Sequence, residues 1–224
     1  MIHLRVAQQL CRQLDIKSAS EFILGNIAPD SGVPAEDGTG YIPEKSVSHF
    51  YDRDSDGIKY INEERFIRQY FPPERRSSCT GEDYSFLLGY LTHLLTDKIW
   101  IRKILIPTKE KWKELYCSNR ELFWQTIKRD WYDMDFMYLK SNPSFEAFRI
   151  YRGIKNIKNT YLDFFPETAF EERRQFVLDF YADGAANIVE HDTYLPKEEL
   201  DTFVVSAANE IAAYIKASGM LQTS

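Results

Sequence analysis

The sequence predicts an all-α protein. Apolar residues recur at helical spacing along most of the chain, and no alternating run bounded by hairpin signals reads as a strand. The third observation is a segment from Tyr84 to Leu105 with apolar residues on every face, the mark of a buried central helix. With no internal repeat and no composition break, the 224 residues read as a single domain over 1–224.

Each helix has its own signal. His3, Ala7, Leu10 and Leu14 share one face of a first helix. Ser18 followed by Glu21 is a capping-box pattern that opens a second helix through Phe22, Ile23 and Ile27. That helix should stop between Gly25 and Pro29, because the residue before proline avoids the α region. Ser31 to Ile42, rich in Gly, Pro and acids, reads as a long loop. A short segment carrying Ser48-His49-Phe50 follows, then a helix from Asn62 to Phe71 ended by Pro72-Pro73. Glu82 and Asp83 suit the positive start of the central helix near Gly81. Further helices are expected at Arg120 to Leu139, Phe145 to Lys155, Phe170 to Glu190 and Glu198 to Ala217.

Composition excludes some functions. The net charge is −6 and the cations are scattered, which argues against a dedicated nucleic-acid surface. A small phosphorylated substrate is still allowed, because a bound dication supplies local positive charge. No apolar run is long enough to span a bilayer, since Phe86 to Leu95 contains His93 and runs into Asp97 and Lys98. The start lacks the apolar stretch of a signal peptide, and Cys11, Cys79 and Cys117 fit no zinc-ribbon or redox spacing. A cytoplasmic location is the expectation.

The chemistry concentrates on His93 and Asp97. Four residues apart, they share one face of a helix that is otherwise almost entirely apolar. Such a pair is costly to bury unless it forms a His–Asp hydrogen bond or binds a metal, and on its own it leaves both open. His49, between Val47 and Phe50, should face inward; neutral imidazole is the commonest metal ligand. Asp30 follows Ala28-Pro29 at a helix end, as a turn residue or as a carboxylate reaching across a gap. His3 sits on the apolar face of the first helix, as a core residue or a further ligand. Tyr90 and Trp100 share the helical face of His93 and Asp97 and could shape a pocket.

His3, Gly25-x-x-Ala-Pro-Asp30, Ser48-His49-Phe50 and Gly89-x-x-x-His93-x-x-x-Asp97 together resemble the zinc-dependent phospholipase C family, which shares its fold with the P1-type nucleases. The resemblance covers roughly the first hundred residues. It implies a phospholipase C/P1 nuclease type of fold. It also implies zinc held by Asp30, His49, His93 and Asp97, with Asp97 bridging to a second zinc at His3. Asp30 would accept a proton from the attacking water. The implied activity is metal-dependent phosphoester hydrolysis, on a phosphorylated small molecule or a phospholipid head group. The pattern departs after Asp97: Lys98-Ile-Trp-Ile-Arg follows, and the only later histidine is His191, so the family's third metal set is missing or rebuilt. The alternative is a non-enzymatic helical protein with a structural or degenerate metal site.

Three further features read as structural. His191, in Asn187-Ile-Val-Glu-His-Asp192, is expected to be a surface or C-cap histidine rather than a replacement ligand; no upstream histidine at the right spacing supports an HD phosphohydrolase. Asp52-x-Asp54-x-Asp56-Gly57 with Glu63 satisfies a simple EF-hand pattern, but Lys59 stands where an apolar residue is usual, so a solvated acidic loop is expected. Phe123, Trp124, Trp131, Phe136 and Tyr138, at helical spacing, are expected in the core.

Overall fold

The computed structural model describes residues 1–35, 38, 40–183 and 194–221. The fold is all-α, as predicted, with two small antiparallel strand pairs added. Helices α1 (Ile2–Gln13) and α2 (Ala19–Gly25) lead into a 3-10 turn, Ala28–Asp30, entered through Pro29. Ser18 stands at the start of α2, but its hydroxyl donates to the Glu21 carboxylate rather than capping a backbone N–H.

The segment Ser31 to Ile42 differs from expectation. Strands β1 (Val33–Pro34) and β2 (Tyr41–Ile42) pair within it, Val33 opposite Ile42. Two-residue strands are too short to show alternation, so no periodicity could reveal them. Helix α3 (Lys45–Ser48) follows, then the hairpin of β3 (Tyr51–Arg53) and β4 (Lys59–Ile61). Between α3 and β3, Phe50 takes φ +52, a left-handed conformation rare for a bulky residue. This turn buries its ring against Phe66, Tyr70 and Tyr90.

Helix α4 (Glu63–Tyr70) begins where Asn62 accepts the Arg65 N–H, and α5 (Pro73–Ser78) starts on the proline pair expected only to end its predecessor. Helix α6 (Gly81–Trp100) is capped by the Thr80 hydroxyl, which accepts from Asp83 N–H. The predicted helix continues past Trp100 as a π-helical stretch, Ile101–Leu105, and then as α7 (Ile106–Lys111). Next come α8 (Lys113–Ser118), α9 (Arg120–Ser141), α10 (Glu146–Gly153), α11 (Ala169–Asp183) and α12 (Lys197–Ala217). No helix among the described residues is long and apolar enough to cross a membrane.

Helices α2 and α6 cross with their backbones in contact. A Cβ on Gly25 would stand 2.0 Å from the Phe86 carbonyl oxygen, and one on Gly89 would stand 2.0 Å from that of Phe22. Only glycine allows this approach at both positions. Asn26, fully buried, fastens the crossing by donating Nδ2–H to the Gly89 carbonyl at 3.2 Å. The crossing brings the end of α2, and Asp30 just beyond it, alongside the middle of α6, where His93 and Asp97 lie. Phe123 and Phe136 are buried, as expected of core residues.

Candidate metal centre

Four elements, α1, the 3-10 turn, the end of α3 and α6, bring five side chains to a single point, two of them from α6. His93 is fully buried and His49 is 2% exposed, while Asp30 and Asp97 keep about a quarter of their side chains exposed. His93 Nε2 lies 3.4 Å from His49 Nε2 and 3.5 Å from Asp97 Oδ2. His49 Nε2 lies 3.7 Å from the same Asp97 oxygen and 3.5 Å from Asp30 Oδ1. On the other side of Asp97, its Oδ1 lies 3.3 Å from His3 Nε2. The His3 ring stacks on that of His93, with centroids 3.8 Å apart.

Hydrogen bonds behind the rings decide which nitrogens face the centre. His93 Nδ1 lies 2.9 Å from the Asn26 carbonyl oxygen, which can only accept, so Nδ1 carries the proton. In the neutral ring Nε2 then presents its lone pair to the cluster. His49 Nδ1 lies 2.9 Å from Ser48 Oγ, which can accept its proton and leave Nε2 equally free. Tyr90, expected to shape a pocket, is instead fully buried and donates its hydroxyl to the Ser48 carbonyl, fixing the end of α3. Trp100 packs edge-on to Trp131 and Phe203. Neither Tyr90 nor Trp100 lines the cavity described below.

The result is a knot of acceptors facing acceptors. Two imidazole lone pairs and two carboxylates within 3.4–3.7 Å repel unless a proton or a cation sits among them. A proton is one solution. Burial lowers the His93 imidazole, yet the Asp97 and Asp30 carboxylates outweigh it and raise it above its ordinary value. Burial and the charge of His93 drive His3 the other way, to a lowered pKa, so it stays neutral. Burial would raise the Asp97 and Asp30 carboxyls, but the facing imidazoles hold both well below the carboxylate range.

A dication is the other solution, and the spacing suits it. Tetrahedral donors about 2.0–2.1 Å from a zinc ion stand about 3.3–3.4 Å from one another. Two donor groups could hold an ion: His49, His93 and Asp97, and His3, Asp30 and His93, the donor atoms within each lying within 4.8 Å of one another. One polar atom remains orphaned, since buried His3 Nδ1 has no hydrogen-bond partner among the described residues. The structure thus brings together all five residues singled out in the sequence: His3, Asp30, His49, His93 and Asp97.

The cluster opens onto a cavity of about 520 Å³ through His3 and Asp30. Sequence reasoning missed the rest of this cavity. Lys45, Lys128, Tyr132, Arg173 and Phe176 reach it from α3, α9 and α11, and no local motif marks them.

Other expected features fall elsewhere. His191 lies outside the described residues. The Asp52–Glu63 segment is the β3–β4 hairpin and the start of α4. Asp54 Oδ1 accepts from the Asp56 and Ile58 N–H groups at 3.0 and 2.8 Å, Asp52 accepts from Asn62, and Glu63 pairs with Lys98. Asp54 and Asp56 are exposed as expected, and Asp54 also shapes the turn, whereas Glu63 is buried. The aromatic group Phe123, Trp124, Trp131, Phe136 and Tyr138 contributes nothing to the cavity lining.

Comparison with known proteins agrees with the motif reading over the part of the chain that carries it. Residues 2–100 match the model of the zinc-dependent phospholipase C family. This range ends at the last residue of α6 and contains all five clustered side chains. The match supports a hydrolase-like function that depends on zinc. No curated protein and no solved structure matches the chain.

Proposed function

We propose that the chain is a zinc-dependent phosphoester hydrolase working as one domain, with Asp30, His49, His93 and Asp97 around one metal and His3 with Asp97 at a second. The observation that carries this reading is the opening of the cluster. Structural zinc sites are closed by their ligands, whereas catalytic sites keep a face open to substrate. Here Asp30, with about a quarter of its side chain exposed, and His3 border a cavity large enough for a phosphorylated head group.

Zinc in this position supplies Lewis acidity, which neutralises charge on a phosphoryl ester and acidifies water. The chain's own groups do the rest. The Asn26 carbonyl and Ser48 hydroxyl fix the two imidazole rings, so their Nε2 atoms point inward without reorganisation. Asp30, held ionised and facing the cavity, is placed to accept a proton from the attacking water. Asp97 offers one oxygen to His3 and the other to His49 and His93, as a bridging carboxylate would. The substrate is a phosphorylated small molecule or a phospholipid head group.

The test is hydrolysis of phosphomonoester and phosphodiester substrates by zinc-loaded protein. Asp30→Asn keeps shape but weakens proton acceptance, and should lower kcat by about a hundredfold or more. A zinc-loaded, folded protein inactive on every phosphoester would favour the second reading, a non-enzymatic protein with a structural metal.

A further inference from the structure

Cationic side chains outnumber acidic ones in the described lining of the cavity, in a protein of net charge −6. Among the described residues, Lys45, Lys128 and Arg173 line it, against the single carboxylate of Asp30. Arg173 is the least exposed of the three. Its guanidinium comes no closer to Asp30 than 3.9 Å, beyond hydrogen-bond reach. Its buried Nε has no hydrogen-bond partner among the described residues. The Phe176 ring lies 5.2 Å from the guanidinium carbon and limits where the group can turn. A guanidinium is always charged and offers donors in a fixed fork, so an unfilled fork beside a reaction site suits an oxyanion.

We infer that Arg173, flanked by Lys128 and Lys45, forms an anion subsite that selects phosphomonoesters over phosphodiesters. This rests on the proposed hydrolase reading of the adjoining cluster. A monoester near neutral pH carries up to two negative charges, whereas a diester carries one. Asp30 stands between the two regions. Its Oδ1 faces His49 and its Oδ2 faces Arg173, so a phosphoryl group beside Asp30 meets the metal ligands on one side and the guanidinium on the other. Lys45 lies 3.4 Å from Asp30 Oδ1 and is mostly exposed, as a mobile second cation at the rim.

Calorimetric titration of the zinc-loaded protein with inorganic phosphate tests this directly. Arg173→Gln should weaken phosphate binding by about tenfold to a hundredfold, the loss of a charge-assisted hydrogen bond. Arg173→Lys should recover part of it, and Lys128→Gln, at an exposed position, should weaken binding less. In steady state, Arg173→Gln should raise KM for p-nitrophenyl phosphate more than for bis(p-nitrophenyl) phosphate, with zinc content unchanged. Binding of phosphatidate vesicles with the same dependence on Arg173 would identify a lipid monoester as the source; phosphate binding without vesicle binding would identify a soluble one. Folded Arg173→Gln protein that binds phosphate within twofold of the parent would overturn the inference. So would a parent protein that holds zinc but binds no phosphate. Absence of zinc from the parent would instead defeat the hydrolase reading, and titration of the metal-free protein would still report on Arg173.

Discussion

At the scale of single residues, the orientation of two imidazoles decides what the cluster can do. Among the described residues, the hydroxyl of Ser48, itself buried, is the hydrogen-bond partner of the outer nitrogen of His49. Partners of this kind are worth about tenfold to a hundredfold in metal affinity. Ser48→Ala should therefore weaken zinc binding by at least tenfold in competition with a chromophoric chelator. Unchanged affinity would mean that packing alone orients the ring. A second residue-scale expectation concerns Cys11. Burial, with help from Glu146, pushes its thiol up to about 11, while Cys117 is exposed. The thiolate is the nucleophile, and at pH 8 almost none of it exists on Cys11. Alkylation at pH 8 should mark Cys117 well before Cys11, as read by peptide mass spectrometry. The five clustered residues were legible in the sequence because each sits in a short motif with a chemical reason for its type. The Asn26 carbonyl was not, since any residue supplies a backbone oxygen and only the fold says where it points.

At the scale of elements, the α2–α6 crossing holds the site together. It places Asp30 beside His93 and lets the Asn26 carbonyl reach an imidazole one turn beyond Gly89. Gly89→Ala would push a methyl group to 2.0 Å from the Phe22 carbonyl, so the helices must separate. The expected cost is about 2 kcal/mol or more by denaturant unfolding. Zinc affinity should fall with it, because the ligands ride on both helices. A variant with parental stability and parental zinc affinity would show that the crossing does not set the site. The long helices were readable from their apolar spacing and first-turn acids, as Glu82 and Asp83 at the start of α6 illustrate, while the Thr80 and Asn62 caps show only in the fold. The short elements were not. Helix α3 spans Lys45–Ser48 and the β1–β2 strands two residues each, about one period of their patterns and too short for a repeat to show. The β3–β4 turn was read only as a solvated acidic loop, although Asp54 accepts two backbone N–H groups there. Asp54→Ala should therefore cost about 1 kcal/mol by thermal unfolding, with no calcium response in either form. A calcium-induced rise in Tm in the parent, absent in the variant, would show instead that the loop binds the ion.

At the scale of the molecule, distant parts of the chain close around the site. A continuous core runs from Leu4 on α1 to Met220 after α12. Arg5, nearly buried on α1, pairs with Asp201 on α12, and its guanidinium lies 4.0 Å from the centre of the Tyr138 ring on α9. The cavity wall comes from α9 and α11, far along the chain from the motifs. Those helices carry Lys128 and Arg173 with no local signature, so only the folded arrangement shows them as part of the site. The central claim is that the His–Asp cluster holds metal, with Asp97 shared between two positions. Zinc counting by atomic absorption on the parent and three variants tests it most directly. The account predicts that His93→Ala loses its zinc, that His3→Ala loses only the second position, and that Asp97→Asn loses more than His3→Ala because it injures both. Full zinc retention in His93→Ala and Asp97→Asn, with the proteins still folded, would contradict it.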